Sequence, residues 1–440
     1  MPIDRSSSPV TIDLAGLPNE GRVFGYDLIQ PQKKSLSNGI PVYFVQAGKH
    51  DLVRIELLFK AGNYYQAKNL TAFFTNRMLR EGTTRYSARQ LAETIEFYGA
   101  YLSLNADRDR ASVSMLMLEK QLPHLLPLLG EIVRQPVFPA HELELFKSRQ
   151  QQEFQVNLQK VSYLASRQIA SMVFGENHPY GRTSQAEDFK NVDRETLQAF
   201  YEQYYTASSC VILVTGKAVK GLYEKIDRVF GDHSFQNSAD TNGTEIPFEP
   251  VRNKKQFVAK KDAVQSAIRV AKMTVKPGHP DHIGLKVLNT VFGGYFGSRL
   301  MKNIREDKGY TYGISSMLMS LERTGFWVVA SDVGADKSQA TIDQVYLEMN
   351  NLRSKKISTS ELNLVKNYML GSFLRSVDGP FELADKFRDL LLMDLGEDYY
   401  ASYIDEIKAA SPASIQALAV QYLEPDSFCE LIVGKKPKTK

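Results

Sequence analysis

The sequence predicts an α+β fold of two homologous domains, each a mostly antiparallel sheet with helices on one face. Three observations carry that expectation: an internal repeat at half the chain length, a polar stretch between the copies, and helical and strand periodicities that alternate within each copy. At 440 residues the chain also exceeds what one core sustains, since single cores stop growing near ~250–300 residues.

The repeat is clearest in Thr196–Lys217, TLQAFYEQYYTASSCVILVTGK, and Ser414–Lys435, SIQALAVQYLEPDSFCELIVGK, which align without a gap at an offset of 218 residues. Gln198/Gln416, Gln203/Gln421, Tyr204/Tyr422, Leu213/Leu431 and Gly216-Lys217/Gly434-Lys435 are identical. Each copy reads as an amphipathic helix, a polar turn and an apolar strand ending in Gly-Lys. Two fainter echoes are the strand-like segments Arg54–Lys60 and Ala267–Met273, and the dipeptides Arg80-Glu81 and Arg305-Glu306. Residues 233–255, rich in Asn, Ser, Asp and Thr with Pro247 and Pro250, read as a linker. The expected organisation is an N-terminal extension over 1–34, a first domain over 35–232, the linker over 233–255 and a second domain over 256–440.

Within the first copy, Ser87 with Gln90 three residues on marks a helix start. Leu91, Ile95 and Tyr98 follow at helical spacing, and Gly99 closes the helix. Leu102, Leu104 and Ala106, then Ala111, Val113 and Met115, alternate with polar residues around the turn Asp107–Arg110, which predicts a hairpin. The second copy repeats this with Tyr312–Met319, a turn at Glu322–Gly325 and Phe326–Val333. Alternation of strands with helices also permits some parallel pairing.

Composition excludes several classes. No apolar run reaches the ~20 residues that span a bilayer. The opening MPIDRSSSPVTIDLAG lacks the charged start and apolar stretch of a signal peptide. Two cysteines, Cys210 and Cys429, are too few for a disulfide framework or a cysteine zinc site and fit a reducing cytoplasm. A net charge of +4, with its short basic clusters in a linker and a tail, points away from nucleic acid. Among seven histidines no pair has the i,i+4 spacing of a helical zinc site, and His141-Glu142 is followed by Leu145 where a second His would stand. His178, in the NHPYG turn, reads as a turn residue, and Asp281 as the cap of the helix that Ile283 begins. No Gly-x-Ser-x-Gly elbow or Walker loop is present, and the glycine-rich stretch of Gly293, Gly294 and Gly297 lacks the Lys-Ser/Thr of a phosphate loop. Its structural reading is close approach of backbone to another chain.

Four stretches, LREGTTRYSARQLAETIEFYGAYL (79–102), NHPYGR (177–182), AFYEQYY…VILVTGK (199–217) and GGYFGSRLMKNIREDKGYTYGISS (293–316), resemble the zinc peptidase family of pitrilysin, insulinase and the mitochondrial processing peptidase. That likeness implies two homologous domains in a clam-shell arrangement, and active members of the family carry His-x-x-Glu-His on the helix before the Arg-x-Gly-Thr-like turn. Counting back from Gly82-Thr83 places that motif at Phe73, Asn76 and Arg77. A phenyl ring offers no lone pair, an amide cannot serve as the Glu base, and a guanidinium repels Zn²⁺. The third family ligand matches Glu153, which alone makes no zinc site and otherwise reads as a solvated helix residue.

The resemblance further implies that Arg305 and Tyr312 are the pair that holds substrate near the scissile bond. Arg supplies a fixed fork of donors, and a Tyr hydroxyl can meet a carbonyl or a developing oxyanion. Without the resemblance, the same residues read as an Arg305 ion pair with Glu306 or Asp307 and a sheet tyrosine. The glycines of 293–297 become a substrate-side loop. The chain then resembles the non-catalytic, zinc-motif-lacking subunit of a heteromeric zinc endopeptidase. It would hold no cofactor, bind peptide as an added strand, and complete the site of a homologous subunit that bears His-x-x-Glu-His and zinc. The alternative is a peptide-binding or scaffold protein of the same fold with no proteolytic role.

Overall fold

The computed structural model describes residues 31–46, 48, 50–217, 219–233, 235 and 245–435. Residues 1–30 of the expected extension and 436–440 of the basic tail lie outside them. The first half contains β1 (Gln32–Ser35), β2 (Pro41–Gln46), β3 (Leu52–Phe59), α1 (Thr71–Met78), α2 (Ala88–Phe97), β4 (Tyr101–Ala106) and β5 (Ala111–Leu118). It continues through α3 (Leu122–Arg134), α4 (Ala140–Asn157), α5 (Val161–Phe174), α6 (Arg194–Tyr204), β6 (Cys210–Gly216) and α7 (Leu222–Phe230). The second half contains β7 (Lys255–Ala259), β8 (Gln265–Thr274), α8 (His282–Asn289), β9 (Thr311–Ser320), β10 (Gly325–Gly334), α9 (Ser338–Ser354) and α10 (Thr359–Arg375). It ends with α11 (Pro380–Leu392), α12 (Tyr399–Ala409), α13 (Pro412–Tyr422) and β11 (Cys429–Gly434).

The strands form a six-stranded sheet of order β1-β2-β6-β3-β5-β4 and a five-stranded sheet of order β7-β11-β8-β10-β9. Both are mixed α+β units, antiparallel except for the β2–β6 and β7–β11 pairs. The repeat is visible in the register. Ile55 of β3 lies opposite Val214 of β6, and Ile268 of β8 lies opposite Ile432 of β11, the residue 218 places after Val214. β1 starts at Gln32, inside the stretch read as an extension, and pairs antiparallel with β2.

Local signals act as the sequence predicts at several points. Ser87 and Gln90 form a reciprocal capping box, worth about 1 kcal/mol to a helix. The hairpin turns fall at the expected places. Asp281 differs: its side chain makes no cap bond and instead accepts from Tyr422 Oη at 2.6 Å, tying α8 to α13.

Each sheet carries its own helices on one face. In the first half Val53, Ile55, Leu57 and Phe59 of β3 face the layer of α1, α3 and α6. In the second, Ile268 and Val270 of β8 face α8, α9 and α13 around the buried Trp327. The other face of each sheet receives a helix from the opposite half. Ala165, Ile169 and Val173 of α5 pack on Ala267, Ala271, Val328 and Leu431. Ala384 and Phe387 of α11 pack on Tyr43, Val45 and Leu213. Polar groups line both exchanges. Arg54 donates to Asp385 at 2.7 Å, Arg388 reaches Glu56 at 3.2 Å, and Arg269 donates to Ser162 O at 3.2 Å.

A third joint lies between the two hairpin tips. Asp109, in the turn between β4 and β5, accepts from Glu322 N at 3.2 Å and from Arg323 at 3.4 Å, both in the turn between β9 and β10. Arg110 pairs with Glu322, and Tyr180 Oη donates to Asp109. The Arg323 guanidinium lies 3.5 Å from the Tyr64 ring centre. Residues 245–251 of the expected linker also pack here: Val251 N donates to Met172 O at 3.0 Å, and Phe248 covers His178 at 4.2 Å between ring centres. His178 Nδ1 accepts from Tyr180 N at 3.1 Å, the turn role the sequence predicts, and burial pushes its pKa down to about 4. Within one chain the two halves of the clam shell are thus bound by exchanged helices and interlocked turns.

Candidate functional site

In the first half, Phe73, Asn76 and Arg77, the positions that the resemblance assigns to the zinc motif, lie on α1. Phe73 and Arg77 are four residues apart, so they share a helix face. That face is closed by rings. Phe73 stacks on Phe146 of α4 at 5.9 Å and meets Phe74 edge-on at 5.6 Å, and the Arg77 guanidinium lies over Phe73 at 5.7 Å. Asn76 is 0% exposed. Its Nδ2 donates to Ser112 O at 3.1 Å and to Tyr205 Oη at 3.2 Å, which ties α1 to β5 and to the end of α6. Glu153 lies two turns beyond Phe146 along the same face of α4, exposed, with Gln150 Nε2 donating to it at 3.2 Å. The α4 contact with α1 therefore runs through Phe146.

A structural zinc or catalytic zinc takes three or four N, S or O ligands. The α1 face offers a ring, an amide already bonded through its NH₂, and a permanent cation. These residues do not fit the metal. Among the described residues no group of three or more His, Cys, Asp or Glu side chains is placed to hold a metal ion.

In the second half, α8 runs on into a π-helical turn over Thr290–Gly294. Gly293 brings this backbone flush against β9: a Cβ there would stand 2.6 Å from Ser316 Cβ and 2.9 Å from Ser316 N. The close approach is thus to this chain's own edge strand. The contact is fixed by Asn289, whose Nδ2 donates to Ser316 O at 3.0 Å, and by Ser316 Oγ, which receives Trp327 Nε1 at 2.8 Å. Gly294 ends that turn and Gly297 lies in the loop that follows, with Phe296 exposed between them.

Arg305 sits in a second π-helical segment, Met301–Asp307. Its guanidinium lies 4.6 Å from the Phe296 ring centre, so the glycine loop and Arg305 come together through a residue that the sequence reading passed over. Among the described residues Arg305 has no carboxylate within ion-pair distance, and the expected alternative pairing with Glu306 or Asp307 is not formed. Tyr310 N donates to Ile304 O at 3.0 Å and clamps the start of β9 to this segment through a turn at Gly309. Tyr312 is 93% exposed. It lies where the β9–β10 register shifts opposite Asp332, a bulge held by Thr311 Oγ1 to Asp332 O (2.8 Å) and Ser331 Oγ to Gly313 O (2.9 Å). Bulges at sheet edges re-aim side chains, and here the ring leaves the pleat for solvent.

Arg80 and Arg305 do not correspond. α8 packs on α13 as α1 packs on α6, so α8 is the counterpart of α1. Arg305 stands in the helical segment before β9, as α2 stands before β4, whereas Arg80 follows α1 and faces Glu81 at 3.7 Å. A shared Arg-Glu dipeptide produced the false match. No hydrogen bond or ring contact joins Arg305 and Tyr312 to Phe73, Asn76 or Arg77, because the two sets belong to different helix layers.

The comparisons with known proteins agree with this layout. Residues 42–184 match the family model for insulinase (peptidase family M16), and residues 191–369 match that for the peptidase M16 inactive domain. An uncharacterized zinc protease, YmxG, of Bacillus subtilis (strain 168) is 22% identical over 406 residues, covering 91% of this chain and 98% of its own. The mitochondrial-processing peptidase subunit beta of Rattus norvegicus is 25% identical over 378 residues, covering 80% of this chain and 73% of its own. Among solved structures, the peptidase M16 inactive domain from Pseudomonas fluorescens superposes with a TM-score of 0.84 at 24% identity, over 93% of this chain and 99% of that one. A protease from Helicobacter pylori gives 0.83 at 16% identity, over 92% and 99%. Both halves are matched and the two sheets follow the same design, so the chain belongs to peptidase family M16, the insulinase family.

Proposed function

We propose that this chain is the non-catalytic subunit of a heteromeric zinc endopeptidase, and that it lends Arg305 and Tyr312 to the active site of a homologous subunit bearing His-x-x-Glu-His. One observation carries the reading: the α1 face is sealed by Phe73, Phe146 and Arg77, while Arg305, half-buried, and Tyr312, exposed, stand in the other half of the chain and are unpaired with acids. A binding pair held outward by a π-helical turn and a bulge, with no hydrolytic centre beside it, is arranged to act on something brought by another chain.

In this reading the partner supplies zinc, the Glu base and the attacking water. This chain docks the peptide and orients it. The outer edge of β9 is unpaired and presents backbone donors and acceptors to an extended segment. Arg305, stacked on Phe296, offers its fork to a substrate carbonyl or carboxylate. Tyr312 Oη meets the carbonyl as charge develops on it. No helix among the described residues is long and apolar enough to cross a membrane, and the proposed compartment is the cytoplasm. An affinity-tagged chain is expected to co-purify with a homologue carrying His-x-x-Glu-His, and the pair to hydrolyse a quenched fluorescent peptide that the chain alone leaves intact. Capture of no such homologue, with peptide still bound, would favour the scaffold alternative.

A further inference from the structure

A cavity of about 600 Å³ lies in the second half, touching the site above only at Asn289, Thr290 and Gly294. It opens between α8, the end of β9 and α10–α12, on the helix that is the counterpart of α1. From α8 it receives Lys286, whose stem is sunk among tyrosine rings. The ammonium lies 3.5 Å from Tyr399 Oη and 5.5 Å from the Tyr403 ring centre, with no carboxylate within ion-pair distance among the described residues. A buried ammonium without a counter-ion is costly, and burial pushes its pKa down to about 8. His282, one turn earlier on α8, lines the same cavity. It is 3% exposed, and its Nε2 finds no hydrogen-bond partner. Buried polar groups in native folds are normally satisfied, so this unpartnered nitrogen adds to the unmet polarity of the cavity wall beside Lys286.

The charge balance defines the ligand further. Lys386 of α11 also lines the cavity, as does Asp389, and neither lysine forms an ion pair with that acid. Two cations against one acid leave room for a single negative charge, which favours a carboxylate over a phosphate dianion. The remaining walls are mixed: Leu318, Met369, Phe373 and Met393 form an apolar patch, and Thr290, Ser320, Ser372 and Ser376 add hydroxyls around it. The volume is that of a small-molecule pocket.

We propose that this cavity binds a carboxylate attached to an aromatic or aliphatic body, with the anion received by Lys286 and Lys386 and the body seated on Phe373 and Met369. The site is independent of Arg305 and Tyr312. Its ligand is either a free organic acid or the C-terminal carboxylate of a peptide ending in a large apolar residue, and the two share the recognition chemistry.

Titration calorimetry of the full chain with 3-phenylpropionate, its amide, and the tetrapeptide Ala-Ala-Ala-Phe tests this. The acid is expected to bind saturably and the amide at least 10-fold more weakly. Lys286→Met, which keeps the apolar stem, and Lys386→Met are each expected to weaken acid binding 10-fold or more, with thermal unfolding unchanged or raised for the first. A tetrapeptide that binds more tightly than the acid identifies peptide C-termini as the source, and a weaker one identifies free acids. No saturable binding by the acid or the tetrapeptide, equal binding of acid and amide, or affinity unchanged in both variants would overturn the proposal.

Discussion

In a complex with its zinc-bearing homologue, Arg305→Ala is expected to lower kcat/KM for peptide hydrolysis by about 10²–10³, the loss typical of removing one donor at a developing oxyanion. The expectation follows from the setting of the side chain. Arg305 has no acid to satisfy it and lies over Phe296, so its donors are free for a substrate oxygen. Alanine removes the fork, while Arg305→Lys keeps charge but not planar geometry and should recover only part of the rate. Tyr312→Phe, which deletes one exposed hydroxyl from the bulge, is expected to cost about 10²-fold by losing a hydrogen bond to the developing oxyanion. Both residues are surface-exposed or half-buried, so neither variant should dissociate the complex on size exclusion. Steady-state kinetics indistinguishable from the parent complex in both variants would remove these residues from the reaction.

Asp109→Ala is expected to destabilise the isolated chain by about 3–5 kcal/mol, a large share of the ~5–15 kcal/mol that holds a typical domain. Asp109 is the acceptor at which three donors from two other segments converge: Tyr180 Oη, Glu322 N and the Arg323 guanidinium. Burial raises its pKa, so the carboxylate is tolerated only because these donors surround it. Alanine leaves the buried Tyr180 hydroxyl without an acceptor and Arg323 with only Glu322, at 3.7 Å, as counter-charge. Asp109→Asn keeps an acceptor and should lose about half as much, roughly 2 kcal/mol. Urea unfolding measures both, and a shift below about 1 kcal/mol for the alanine variant would show that the interlocked turns do not carry the joint between the halves.

Much of this architecture is legible in the sequence because it rests on local chemistry. The 218-residue repeat reappears as matched register at Val214 and Ile432. The Ser87 cap and both hairpins follow from residue type and spacing alone. The exchange of α5 and α11 between halves is not legible. Ala165, Ile169 and Val173 form an apolar stripe, but a stripe does not say which sheet it covers. The Asp281 cap failed for a similar reason, since a distant tyrosine hydroxyl took the carboxylate.

The candidate site divides the same way. Phe73, Asn76 and Arg77 disclose lost metal chemistry through their functional groups, and no fold is needed to see it. That Phe146 rather than Glu153 meets Phe73 is a matter of helix packing, which periodicity along α4 leaves open. Phe296 was missed because an exposed aromatic in a glycine loop carries no motif. Lys286 had one faint signal, a cation set within the apolar run Leu285-Lys286-Val287-Leu288, where a solvated lysine is out of place.

The most direct test is metal analysis of the isolated full-length chain after incubation with Zn²⁺ and desalting, beside the same chain purified with its homologue. A face made of a phenyl ring, a bonded amide and a guanidinium retains well under one equivalent, and the zinc of the complex follows the homologue. Tightly held zinc at one equivalent in the isolated chain, lost on Asn76→Ala or Glu153→Ala, would contradict the account.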